Sequence, residues 1–122
     1  MSPFWHIRRC VLEIPFLIRK MIFRIKHGFP IEDTWSLDYA FILWMAPRMR
    51  HFADKCVGTP GFLGYQYGEE IADDLWRGIL AKIADGFERA SRPEYFYMSQ
   101  GETEYFEECL DLFREYFFNL WD

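Results

Sequence analysis

Apolar residues recur three and four apart along most of this chain, which is the spacing of one face of an α-helix. From Cys10 to His27 the stripe reads Ile14, Leu17, Ile18, Met21, Ile22 and Ile25. Pro15 suits a first helical turn, where a missing N–H is no loss. Residues 4–14 then form either an extra helical turn or an extended arm. Arg24, Lys26 and His27 sit where cations complement a helix dipole, and Gly28 supplies the stop. Phe29-Pro30 forms a connection, with Asp33 or Thr34 as N-cap of the next helix. That helix carries Trp35, Leu37, Asp38, Tyr39, Ile42, Met45, Met49 and Phe52 on its stripe. Pro47 falls inside it, so the helix either ends near Trp44 or kinks at Pro47 and continues to Cys56.

Gly58 to Gly68 reads as a loop that folds Phe62, Tyr65 and Tyr67 onto the domain. It lacks the Gly-Lys-Ser/Thr ending of a phosphate loop. Glu69 to Arg89 is the most regular stretch. Ala72, Leu75, Trp76, Ile79, Leu80, Ile83 and Phe87 lie along one side, with carboxylates including Asp73, Asp74, Asp85 and Glu88 on a solvated face. Arg92-Pro93 ends it. Ser99 and Glu102 have the spacing of a capping box and open a last helix with Phe106, Cys109, Leu110, Phe113, Phe117, Leu120 and Trp121 inward. No segment alternates as a strand does. The pattern predicts an all-α fold, a compact bundle of about four main helices, with residues 1–122 forming a single domain.

Composition adds one unusual feature: 13 Phe, 7 Tyr and 5 Trp in 122 residues. Each ring buries roughly 150–250 Å², so fewer positions fill the interior and some rings are expected at the surface. The net charge of −5 is unevenly spread. Residues 1–30 hold Arg8, Arg9, Arg19, Lys20, Arg24 and Lys26 against Glu13 alone, whereas residues 91–122 hold only Arg92 and Arg114 against eight carboxylates. The basic and acidic ends either satisfy one another or leave a basic amphipathic segment for a membrane surface or nucleic acid. Overall acidity argues against duplex nucleic acid, whose binding rests on phosphate neutralisation.

Cys10, Cys56 and Cys109 are odd in number and far apart, which suits free thiols in a reducing compartment. Glu13, Arg19 and Lys20 interrupt any secretory leader, and an intracellular location is expected. His51, Asp54 and Cys56 form the one local cluster of ligand-type residues; too few others share a zinc spacing, so a polar helix end is expected there, with no metal, cofactor or catalytic set. Asp38 on an apolar face requires a partner, for which Arg48 or a cation of the first helix is suited. Trp35, Asp38, Tyr39, Trp44 and Arg48 are the candidate binding residues, with Trp44 near Arg48 and Arg50 offering a ring and a cation to a nucleotide.

Several strings carry a resemblance. Lys26-His27-Gly28-Phe29-Pro30, Glu32-Asp33-Thr34-Trp35-Ser36-Leu37-Asp38-Tyr39, Trp44, Pro47-Arg48, Gly58-Pro60-Gly61, Trp76 with Ile79-Leu80-Lys82-Ile83, Asp85-Gly86-Phe87-Glu88, Phe117-Phe118 and Leu120-Trp121-Asp122 together resemble a family of short uncharacterised bacteriophage proteins. Residues 1–14 and 94–98 lie outside the pattern. The resemblance implies a phage or prophage origin and a host-cell cytoplasmic setting. It implies no mechanism. The missing catalytic set, the ring-rich composition and the charge asymmetry, with the analogy of small phage accessory proteins that act by binding, lead to the expectation of a non-enzymatic role in binding a host macromolecule, such as a defence component. A host protein is the first partner expected. A nucleotide, a membrane surface met by residues 4–27, or a second copy of the chain are the alternatives.

Overall fold

The computed structural model describes residues 3–92 and 99–121, with side chains from residue 15 onward. Among these residues five α-helices follow in order: α1 (Pro3–His27), α2 (Leu37–Lys55), α3 (Gly61–Tyr67), α4 (Glu69–Ala90) and α5 (Gln100–Glu115). Short 3-10 turns occupy Ile31–Thr34 and Phe117–Asn119, and no strand occurs among the described residues. The all-helical class is as the periodicity predicts. Contacts group the chain into two compact units, Met1–Ala40 and Phe41–Asp122.

In the first unit, α1 starts at Pro3, so Pro15 is an internal residue and not a first-turn one. Pro3 takes the starting position, where a ring-locked φ and a missing N–H do no harm. The helix then runs through Pro15, which leaves the Val11 carbonyl without its usual donor. The C-terminus is as expected. Gly28 adopts φ 83° and its N–H returns to the Arg24 carbonyl at 2.8 Å, a backbone shape that glycine takes without strain. Phe23 stacks near His27 and Phe29, with ring centroids 4.1 and 5.6 Å away.

Neither Asp33 nor Thr34 caps α2. The Thr34 hydroxyl turns back to the Ile31 carbonyl at 2.6 Å and closes the 3-10 turn. The first helical bond of α2 instead goes from Ala40 N–H to the Ser36 carbonyl at 2.9 Å. The turn rests on α1, where Lys20 Nζ meets Glu32 Oε1 at 2.5 Å.

In the second unit, α2 continues through Pro47 to Lys55 as one helix. Pro47 is on the exposed side, so the Leu43 carbonyl that it deprives of a donor faces water, while Ile42, Ala46 and Met49 on the opposite side are buried. The glycine-rich stretch is not a plain loop. Leu63 is drawn into the core, and the residues around it close into α3. Gly68, at φ 86°, ends α3 by donating to the Gly64 carbonyl and opens α4 by accepting from Ala72. Tyr65, expected to fold inward, is 96% exposed.

α4 is the central helix, packing against both α3 and α5. It buries Ala72, Trp76, Leu80, Ile83, Ala84, Phe87 and Ala90, whereas Leu75 stays partly exposed. Phe87 lies within a ring cluster, its centroid 5.9 Å from Phe41, 5.8 Å from Phe106 and 5.4 Å from Phe113. Trp76 meets Tyr116 edge-on at 5.5 Å. The predicted cap of α5 is present: Ser99 Oγ accepts from Glu102 N–H. Because α5 stops at Glu115 and gives way to a 3-10 turn, the helical register ends there. Phe117 and Trp121 are turned outward, against the expected inward stripe, and Leu110 is also exposed.

Candidate contact surface

Trp44 and Arg48 are the two predicted site residues that the structure brings into contact. The Arg48 guanidinium carbon stands 4.1 Å from the Trp44 ring centroid, and Nη1 donates to the Trp44 carbonyl at 2.8 Å. One face of this exposed ring is therefore already covered by its own helix neighbour. Trp35 is exposed, with Lys20 Nζ 5.8 Å from its ring. Asp38 is exposed and makes no ion pair among the described residues, so the buried pairing expected of it does not form; water solvates the carboxylate. Tyr39 is half-buried.

The other candidates have structural explanations. His51 is exposed, Asp54 lies 4.0 Å from Arg50, and Cys56 Sγ donates to the Gly58 carbonyl at 3.4 Å. No three His, Cys, Asp or Glu side chains converge among the described residues. Asp85 and Glu88 are half-buried and paired, not free on a solvated face. Tyr105 donates to Asp85 at 2.7 Å, Arg89 Nε meets the same carboxylate at 3.0 Å, and Arg50 Nε meets Glu88 at 2.5 Å. Lys82 reaches Glu108 at 2.9 Å, which holds the ammonium above its ordinary range. Together these contacts link α4 to α5 and to α2. Burial raises the Cys109 thiol's pKa, so it stays protonated and donates to the Lys82 carbonyl; a thiol in that state is a poor nucleophile.

Two hollows open beside α3. The larger, about 540 Å³, is lined by Thr59, Pro60, Tyr65, Glu69 and Asp73 among others, with the Thr59 hydroxyl donating to Asp73. The smaller, about 260 Å³, includes Thr59, Trp76, Asn119 and Trp121. Among the described residues no cation lines either one, and a nucleotide's phosphates would meet the carboxylates of Glu69 and Asp73 in the larger.

The most distinctive feature is α1. Helical register sets Leu17, Ile18, Met21, Ile22 and Ile25 on one side, and all five are exposed, Ile25 at 78%. The 3-10 turn occupies another side, where Lys20 and Phe23 are the half-buried residues. Register sets Arg24 along one edge of the apolar stripe and Arg19 and Lys26 along the other. All three are exposed and make no ion pair among the described residues, and no carboxylate occurs between Glu13 and Glu32. The periodicity shows this stripe, and leaves open whether it packs within the domain or meets a membrane surface. Five large aliphatic side chains are thus exposed together on one side of a single helix, more than the scattered apolar residues of an ordinary surface. No protein-family model, curated protein or solved structure matches the chain.

Proposed function

We propose that this protein works by contact and not by turnover: a non-enzymatic accessory protein that binds a host component through the apolar side of α1. The observation that carries the reading is the exposure of Leu17, Ile18, Met21, Ile22 and Ile25 on one helix. An apolar strip of this kind gains roughly 25 cal/mol for each Å² removed from water, and that gain drives association. The resemblance to short phage proteins supports a component of the infected cell as the target.

Gradient fractionation of host cells expressing the tagged chain tests it. The wild type should travel with host material, whereas Ile18→Asp with Ile22→Asp should run as the free chain. Identical profiles for the two proteins would remove the proposal.

A further inference from the structure

We infer that the component covering α1 is an anionic lipid surface, on which the helix lies in the membrane plane. The inference rests on the contact reading above and adds the chemistry of the partner. A protein groove that accepted Leu17, Ile18, Met21, Ile22 and Ile25 would need acidic groups along both rims to match Arg19, Arg24 and Lys26. A bilayer with anionic headgroups supplies that match on both sides at once. Aliphatic side chains enter the acyl boundary while the flanking cations extend sideways to phosphates.

Length and orientation agree with this. α1 has 25 residues, about 37 Å of helix. No helix among the described residues is long and apolar enough to cross a membrane, so α1 is suited to lie on a bilayer and not to span it. Arg19, Arg24 and Lys26 are left to meet the anionic surface from the edges of the stripe, while Lys20 is held by Glu32 on the side of the turn.

Flotation of the purified full-length chain tests the inference. The vesicles are phosphatidylcholine containing phosphatidylglycerol, and phosphatidylcholine alone. The wild type should float with the first, and bind the second on the order of a hundredfold more weakly through loss of the headgroup attraction of three cations. Arg19→Gln, Arg24→Gln and Lys26→Gln together should abolish that preference. Ile18→Asp with Ile22→Asp should not float on either, while keeping the wild-type far-ultraviolet circular dichroism and thermal transition.

Three results would overturn it: no flotation of the wild type with phosphatidylglycerol vesicles; equal flotation of the aspartate variant; or sedimentation showing a wild-type dimer that the aspartate variant splits, which would make a second copy the occupant. If vesicles fail while host-cell fractionation still separates wild type from variant, contact through α1 stands and its lipid occupant falls. If neither assay separates them, both fall.

Discussion

The Cys109 side chain of α5 fills the space where a side chain at Gly86 of α4 would begin. A Cβ placed on Gly86 would stand 2.5 Å from Cys109 Cβ and closer still to its sulfur. The helices approach at this point because one of them has no side chain there, and the thiol reaches the Lys82 carbonyl at 3.2 Å. Gly86→Ala should therefore destabilise the protein by about 1–3 kcal/mol through overpacking, even though alanine is the better helix former. Gly78 on the same helix has open space around the corresponding position, so Gly78→Ala should stabilise by about 0.5–1 kcal/mol. Urea midpoints of the two variants check this, and shifts of the same sign would contradict it.

Phe87 is fully buried among Phe41, Phe106 and Phe113. Phe87→Ala is expected to lose about 3–5 kcal/mol and Phe87→Leu less than about 1.5 kcal/mol. Phe118, a ring 87% exposed, should tolerate alanine within about 0.5 kcal/mol. Thermal or chemical denaturation of the three variants separates a packed ring from a bare one.

Alkaline pH should weaken the fold. Burial holds the Cys109 thiol above its ordinary 9.0, and burial together with the hydrogen bond to Asp85 holds the Tyr105 hydroxyl above its ordinary 10.0. In each case the unfolded chain releases its proton first. The folded state then binds more protons, and stability falls as pH rises past those ordinary values. Lys82, raised by Glu108, acts with the same sign. Denaturant midpoints should hold steady through neutrality and decline from about pH 9 upward. Tyr105→Phe should lower stability near pH 7 by about 1 kcal/mol but flatten the decline above about pH 10.

Arg50 holds Glu88 through two bonds, Nε–Oε1 at 2.5 Å and Nη2–Oε2 at 3.3 Å, and meets Asp54 only at 4.0 Å. The first pair joins α2 to α4 and is about two-thirds shielded, whereas Asp54 is largely exposed. Glu88→Gln should cost about 1 kcal/mol, and Asp54→Asn no more than a few tenths. A double-mutant cycle with Arg50→Gln measures the coupling; near-zero coupling to Glu88 would refute the assignment.

The amino-acid sequence determined by itself what depends on near neighbours along the chain. The helical period, the stop at Gly28, the Ser99 cap and the regularity of α4 all follow from residues within a turn or two of one another. Only the tertiary structure decided which apolar faces are covered. Leu17 and Ile25 show the same period as Trp76 and Phe87, yet the first pair is exposed and the second buried. Periodicity shows that a helix has an apolar side; what lies against that side depends on distant segments. The same reason explains α3, where burial of Leu63 stabilises a helix among four glycines. It also explains Pro15 and Pro47, whose local cost of about 3 kcal/mol did not end either helix. Trp44 and Arg48 were foreseeable as an i, i+4 pair, whereas the solvated state of Asp38 was not, because a carboxylate's need for a partner disappears once its surroundings are water.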